Sequence, residues 1–222
     1  MRISHRSIRA HFFTLTVIGS IIFILLLIVG MITYSGGTRF NYTEPNYSFS
    51  ENYLSELGSI GTYSGETNLA SRILFAAAIL IGGIGLVIFY YNVAFLFQDA
   101  PTKIIIISKV ASFFGIISSL MCVSIAFLPI DVFKIAHRIC VYIFGFLVLP
   151  AQILFAVAIF LDRNYHNIYG WLYAAFAFIL IAYIVMNIII KFDAPYEQEV
   201  VKIIGQKIVI FSNAFNIALQ AA

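Results

Sequence analysis

Charged residues are scarce in this sequence: they make up 10% of its 222 residues, whereas hydrophobic residues make up 62%. Soluble domains average about 25% charged and about 45–50% apolar residues. A soluble fold of this length could not hide so much apolar surface from water. The scarcity of charge therefore excludes an ordinary soluble domain, and the mean hydropathy of +0.99 indicates a chain whose solvent is mostly lipid.

Cysteine is also rare, and the sequence lacks the short motifs of common catalytic and metal sites. The two cysteines, Cys122 and Cys140, lie inside hydrophobic runs, which predicts two buried free thiols. No CxxC, HExxH, P-loop, GxSxG or GxGxxG motif is present. The net charge of +3 is spread along the chain and does not indicate a nucleic-acid partner. These absences predict no cofactor and no metal site.

Six hydrophobic runs are long enough to cross a membrane as helices. Such a helix needs about 20 apolar residues, whereas the strands of a membrane β-barrel would alternate apolar and polar residues. Short polar segments separate the runs, and three contain a proline where a helix is expected to stop. The sequence therefore predicts an all-α, polytopic membrane protein with one six-helix domain over residues 1–222. The predicted spans are 12–34, 70–97, 104–128, 135–161, 171–191 and 201–221.

Charges near the first span predict the orientation of the bundle. Arg2, Arg6 and Arg9 precede this span, and the loop after it is acidic. Because positive charge beside the first span favours the cytoplasmic side, the N-terminus is predicted to lie inside, and six spans also place the C-terminus inside. The outer loop 35–69 is then extracytoplasmic, and two N-glycosylation sequons within it agree with this side. The expected location is the cell membrane, with multiple passes.

The first loop is the one long polar segment of the chain. Its stretch SENYLSELG, residues 50–58, predicts a short extracytoplasmic helix, because Ser50 suits an N-cap and Gly58 suits a helix stop. The apolar residues of this stretch are spaced to cover one narrow face. We therefore expect the helix to lie over the outer end of the bundle as a lid.

Polar residues of the spans converge beneath this loop. The second, fourth and sixth helices run inward, so residues near their N-terminal ends share the outer third of the membrane. Arg72, Arg138 and Lys207 would supply positive charge there, while His137 and Gln206 would donate hydrogen bonds. The cluster predicts a binding site for a lipid headgroup or a small anion, with membrane lipids as partners.

Two helices carry stripes that bear on packing. Polar side chains recur at helical spacing along the sixth span, and small side chains recur along the third. The polar stripe is predicted to face the bundle, where it forms interhelical hydrogen bonds or lines a cavity; a segment lying flat on the membrane is the other possibility. The polar stripe comprises Lys202, Gln206, Asn213, Asn216 and Gln220. The small stripe comprises Ser108, Ser112, Gly115, Ser119 and Cys122.

Short motifs in four places carry a resemblance to a known family. YLSELG follows the first span, an Asn comes some ten residues later, IAHR opens the fourth helix, and GQK lies in the last. Together they resemble the domain-of-unknown-function family 998 of archaeal and bacterial membrane proteins. The layout is similar to FRAG/DRAM-type proteins, which are associated with lipid handling. The resemblance implies a six-helix membrane protein without an assigned reaction, and its matching positions are Ser55, Glu56, Gly58, Asn68, His137, Gln206 and Lys207.

Two further interpretations of the same residues stay open. One is an intramembrane hydrolase acting on lipid, with Ser55 or a water as nucleophile, His137 as base and Glu56 as its orienter. No nucleophile elbow accompanies these residues, so the sequence leans against an enzyme. The other is a purely structural or partner-docking subunit, in which the cluster holds the loop in place and another membrane protein binds over it.

Overall fold

The fold is a bundle of six α-helices, seen in a computed structural model that describes residues 5–162, 164–189 and 195–221. Within these ranges the remaining structure is turns, two short 3₁₀ helices and one isolated β-bridge. All six helices are long and apolar enough to cross a membrane, so the chain is a multi-pass membrane protein. They are α1 His5–Ile32, α2 Leu69–Val93, α3 Thr102–Ile125, α4 Lys134–Leu161, α5 Asn167–Ile189 and α6 Pro195–Ala221.

The six predicted spans are confirmed as helices, although their ends differ by a few residues. Helix α6 begins at Pro195 rather than at 201, because proline is well tolerated in a first turn. Helix α2 ends at Val93, and a 3₁₀ helix, Ala94–Phe97, completes the predicted span. Residues 190–191 of the fifth predicted span lie outside the described residues. So does Arg2, and the prediction that both termini lie inside stays a prediction.

The helices form a ring in which each contacts its neighbours in sequence and α6 closes against α1. Stacked aromatic rings fill part of the interior: the centroids of Tyr90 and Phe155 are 6.1 Å apart, and those of Phe155 and Tyr173 are 5.5 Å apart. Large apolar residues such as Phe146 and Phe178 remain exposed on the outside. An apolar exterior is what a helix ring in lipid requires.

The small-residue stripe of α3 is confirmed as a packing face, since all five of its side chains are buried. A Cβ added at Gly115 would collide with the ring of Tyr90. The Ser112 hydroxyl donates to the Tyr90 carbonyl at 2.5 Å, and Ser118 donates to the carbonyl of Phe144 at 2.9 Å. Small side chains therefore bring α3 close to α2 and α4.

The polar stripe of α6 faces the bundle, as predicted. Asn213 and Asn216 are buried, and the Asn216 amide donates to Gln152 Oε1 at 3.1 Å. Gln152 in turn donates to the hydroxyl of Tyr90 at 2.9 Å. Near the end of α6, Gln220 donates to the carbonyl of Tyr169 at 2.9 Å. These bonds support interhelical hydrogen bonding, and α6 packs in the ring, not flat beside it.

Candidate functional site: the loop cap and the α2–α3 groove

The first loop, residues 33–68, folds into a compact cap over one end of the ring, which we call the loop cap. At its centre is a 3₁₀ helix, Leu54–Gly58, whose five residues are all buried. The sequence predicted a helix from Ser50, but residues 49–51 form turns and Tyr53 holds the N-cap position. The helix starts later because Glu56 accepts from the Tyr53 N–H at 3.2 Å and closes the first turn.

Two glycines allow the chain to turn sharply from α1 into the loop cap. Gly36 and Gly37 have φ values of +85° and +81°, which disfavour residues with a Cβ. A Cβ at Gly37 would also collide with the backbone at Tyr63 and Ser64. The Gly37 N–H donates to the carbonyl of Glu44 at 2.7 Å. This turn brings the start and the end of the loop cap into contact.

Glu56 is the central acceptor of the loop cap. Its carboxylate accepts from Asn52 Nδ2 at 2.8 Å, from the Tyr53 N–H and from the Tyr63 hydroxyl at 3.3 Å. Burial raises the pKa of Glu56 above its usual range, and these hydrogen bonds partly offset that rise. Burial also raises the pKa of Tyr63 to about 12, so its hydroxyl stays protonated as the donor. Glu56 therefore holds the loop cap together.

The side chain of Lys207 extends from α6 into the loop cap. Its side chain is 1% exposed, and Nζ donates to the carbonyl of Asn52. Nζ also lies over the rings of Tyr47 and Phe49, 5.4 and 5.0 Å from their centroids. Nζ makes no ion pair with a carboxylate of the described residues. Its positive charge is instead stabilised by the two aromatic rings and one carbonyl oxygen. Lys207 anchors the loop cap to α6.

Asn68 lies at the N-cap position of α2, but its side chain bonds the loop cap and not the helix. Its amide group approaches the carbonyls of Leu57, Ser59 and Glu56 at 3.0, 3.2 and 3.4 Å. Ser71 donates to the same Leu57 carbonyl at 3.2 Å. Two side chains of α2 thus stabilise the C-terminal end of the 3₁₀ helix.

Three further side chains fasten the loop cap to the helices. Gln206 of α6 accepts from the Leu54 N–H at 3.0 Å, at the other end of the 3₁₀ helix. Asp131, between α3 and α4, accepts from the N–H groups of Ile60 and Gly61 at 2.9 and 3.1 Å. Glu199 of α6 accepts from the hydroxyl of Tyr53 at 2.7 Å and pairs with Arg39 at 2.8 Å.

The residues of the hydrolase hypothesis are not connected to each other. His137 is buried, and its Nδ1 contacts the carbonyl of Leu128 at 2.7 Å, while Nε2 has no partner among the described residues. The Glu56 carboxylate is bonded within the loop cap, and the Ser55 hydroxyl makes no hydrogen bond with a described residue. His137 therefore ties α4 to the end of α3, and no hydrogen-bonded triad is formed.

Arg72, like Arg138, has a guanidinium without a partner among the described residues. It is half-buried in the first turn of α2 and makes no hydrogen bond or ion pair with the described side chains. It lies on the wall of a partly open groove of about 480 Å³. The rest of the groove wall is apolar; it includes Ile73, Ala76, Ala77, Leu80, Ile125, Phe127 and Gly58.

The predicted site is therefore divided between three places. Glu56, Asn68, Gln206 and Lys207 meet in the loop cap, where their polar atoms hold protein groups. Arg72 lies on the groove beside it. Arg138 is exposed on α4, has no described partner and does not line the groove. Its predicted place under the loop stays a prediction.

Two residue types were missed by the sequence interpretation. Asn52 is fully buried and bonds Gly37, Ser48 and Glu56, yet it looked like an ordinary polar loop residue. Tyr47 and Tyr63 of the loop were not among the predicted site residues either. The high frequency of tyrosine in so short a polar segment was the sequence signal that could have indicated them. In the described part of the chain, no three His, Cys, Asp or Glu side chains are grouped to hold a metal ion.

Comparisons with protein-family models, with curated proteins and with solved structures find no match to this chain. The resemblance to family 998 accordingly stays a prediction.

Proposed function

We propose that this protein binds an anionic membrane lipid in the α2–α3 groove, with its phosphate group held by Arg72. The observation that carries the proposal is the guanidinium of Arg72, which has no partner among the described residues and lies on an otherwise apolar groove. Glu56, Asn68, Gln206 and Lys207 of the sequence-predicted headgroup site bond protein groups in the loop cap, so the proposal assigns the phosphate to Arg72 alone. The proposal keeps the predicted ligand class and changes the residues that bind it.

An arginine without a described partner on the wall of an apolar groove favours an anionic ligand. A charge placed in low-dielectric surroundings without a counter-charge is costly, and an ion pair reduces that cost. The guanidinium is planar and offers two parallel N–H donors, which match the oxygens of a phosphate. Arg72 lies only three residues after Leu69, the first residue of α2. If the membrane span also begins at Leu69, the Arg72 side chain lies at the depth of the lipid headgroups.

The remainder of the groove suits an acyl chain. From Arg72 to Leu80 the groove follows α2 for eight residues, or about 12 Å at the helical rise. Ala76 and Ala77 are small and leave room between α2 and α3. A volume of about 480 Å³ falls within the range of about 300–1,000 Å³ typical of ligand sites. An apolar groove beside a cation is the arrangement that a lipid requires, because the groove takes the acyl chain and the cation binds the phosphate.

The loop cap would shape the site without binding the ligand. Gly58, at the end of the 3₁₀ helix, forms part of the groove wall. Its position depends on Asn68 and Ser71, which hold the Leu57 carbonyl beside it. We also propose that the loop cap lies on the extracytoplasmic side of the cell membrane, which would put the lipid in the outer leaflet.

Native mass spectrometry of the purified protein would test the site. The protein is delipidated and titrated with an anionic phospholipid, a zwitterionic phospholipid or inorganic phosphate. We expect Arg72→Gln to lower the affinity for the anionic lipid at least tenfold. Arg138→Gln is the matched control, because it removes the same charge from an exposed arginine outside the groove. Ala76→Phe should weaken lipid binding and leave phosphate binding unchanged, because it fills only the apolar part.

The outcomes separate the possible ligands. Tight lipid binding that needs both Arg72 and an open groove supports the proposal. Phosphate binding as tight as lipid binding, and insensitive to Ala76→Phe, would show a small-anion site instead. Equal lipid binding by wild type, Arg72→Gln and Arg138→Gln would contradict a site at Arg72 and leave the loop cap as a structural element.

A further inference from the structure

We propose that Asn41 is an N-glycosylation site, and that the neighbouring sequon at Asn46 is not used. The two sequons are Asn41-Tyr42-Thr43 and Asn46-Tyr47-Ser48, which have the form that carries N-linked glycans in extracytoplasmic loops. In sequence they are equivalent candidates. Their surroundings in the structure differ, and this difference does not depend on the proposed lipid site.

The first sequon is an exposed turn at the edge of the loop cap. Asn41, Tyr42 and Thr43 are all exposed, and the Tyr42 ring is 63% exposed. Asn41 Oδ1 accepts from the N–H and hydroxyl of Thr43 at 3.1 and 2.8 Å. The reacting atom, Nδ2, donates to the half-buried Glu44 carboxylate at 3.2 Å and makes no other hydrogen bond with the described residues. The Asn41 backbone bonds buried Thr38, whose N–H donates to the Asn41 carbonyl at 2.8 Å and whose hydroxyl accepts from the Asn41 N–H at 2.9 Å. The three side chains of this sequon are exposed, so a transferase can reach the reacting amide without removing a side chain from the interior of the loop cap.

The second sequon is fixed to the interior of the loop cap. Asn46 is exposed, but the Tyr47 hydroxyl donates to the Asn52 carbonyl at 3.0 Å. The Tyr47 ring packs edge-on against Tyr34, with 5.6 Å between centroids. The Ser48 N–H donates to Asn52 Oδ1 at 2.9 Å. To present this sequon, a transferase would have to remove Tyr47 and Ser48 from these contacts, including the cation–π contact with Lys207.

The reaction needs a sugar donor and an enzyme, both present in membranes that glycosylate proteins. The donor is an oligosaccharide joined to a lipid phosphate, and the enzyme is an oligosaccharyltransferase. Asn41 Nδ2 forms a bond to the anomeric carbon of the sugar, and the bond from that carbon to the phosphate oxygen breaks. The bonding electrons leave with the lipid phosphate, and one Nδ2 proton passes to a base of the transferase.

Intact-mass measurement of the protein isolated from the membranes of its own cells tests the proposal. We expect a mass above the 24.8 kDa of the unmodified chain by whole sugar units. Asn41→Gln should return the mass to that of the unmodified chain, and Asn46→Gln, the matched control, should keep the glycan. Thr43→Ala should also remove the glycan although Asn41 remains, whereas Thr43→Ser should retain it because a hydroxyl is preserved.

Two results would overturn the proposal. One is a wild-type mass equal to that of the unmodified chain, which would show that neither sequon is used. The other is a glycan that persists in Asn41→Gln and disappears in Asn46→Gln. The Thr43 variants separate loss of the acceptor motif from misfolding, since Thr43→Ala and Thr43→Ser change the same exposed position. A glycan at Asn41 would also place the loop cap outside the cell.

Discussion

At the scale of single residues, the loop cap depends on a few buried side chains that each hold several backbone groups. Asn68 is the clearest case, because one fully buried amide approaches three carbonyl oxygens. Buried polar groups left without partners are costly, and the cost grows with the number of groups released. Loss of such a side chain should therefore loosen the loop cap more than loss of an exposed one.

Asn68→Ala should destabilise the protein by about 1–3 kcal/mol, because the Ser59 carbonyl loses its donor and the Leu57 carbonyl keeps only that from Ser71. Thr67→Ala is the matched control, since the Thr67 side chain is exposed and makes no hydrogen bond with the described residues. Thermal unfolding in detergent would report the difference as a lower melting temperature for Asn68→Ala. Equal melting temperatures for the two variants would show that the amide does not hold the 3₁₀ helix.

Glu56 should make the stability of the loop cap depend on pH. Burial raises its pKa above the ordinary carboxyl value of 4.5, so the folded protein binds this proton more tightly than the unfolded chain. The contribution of Glu56 to stability is therefore greatest at low pH, and it falls as the pH rises from about 4.5 through the raised pKa.

Melting temperatures measured against pH would check this sign. As the pH rises through that window, the wild type should lose stability relative to Glu56→Gln, whose amide does not titrate. The exposed Glu66→Gln serves as control and should follow the wild type. A constant gap between wild type and Glu56→Gln across the pH range would contradict a raised pKa in the folded protein.

Part of the site was predictable at this scale, and part was not. Asn68 and Gln206 were singled out in the sequence, and both contact the 3₁₀ helix. Their partners could not be predicted, because backbone groups carry no sequence signal. Arg72 and Arg138 looked alike in sequence; only the packing of α2 and α4 shows that one lines a groove and the other is exposed.

At the scale of helices, close approach between neighbours depends on small residues at chosen positions. Gly115 of α3 lies against the ring of Tyr90, whereas Gly145 of α4 has open space where a Cβ would be. Both glycines lie within helices, so both substitutions to alanine gain the same helix propensity, of about 1 kcal/mol. The pair therefore isolates the effect of packing.

Gly115→Ala should destabilise the protein, because the added methyl group forces α3 away from α2 or moves the ring of Tyr90. Overpacking of this kind costs about 1–3 kcal/mol. Gly145→Ala should leave the melting temperature unchanged or raise it. If both variants melt at the same temperature, the contact between α3 and α2 is looser than the structure shows.

Helices were easier to predict than their ends or the loop between them. Long apolar runs determine that all six segments are helical, because lipid leaves backbone groups no other partner. Helix ends depend on turn chemistry, so the span predicted to 128 ends as an α-helix at Ile125 and continues through turns toward Pro129. The 3₁₀ form of Leu54–Gly58 depends on contacts from α2 and α6, which no local pattern contains.

At the scale of the whole molecule, six spans place the loop cap and the α2–α3 connection on opposite sides of the membrane. Glu66 in the loop cap and Lys103 at the start of α3 are both exposed. A membrane-impermeant thiol reagent added to intact cells should label Glu66→Cys and not Lys103→Cys; disruption of the membrane should allow both to react. The reverse pattern would place the loop cap inside and contradict the predicted orientation.

Lipid binding in the groove beside Arg72 would be visible in a structure of the protein determined in its native lipids. We expect elongated density along Ile73, Ala76 and Leu80, with a phosphate within hydrogen-bonding distance of the Arg72 guanidinium. A groove without ordered density, or an Arg72 paired with a carboxylate of the chain itself, would contradict lipid binding at this site.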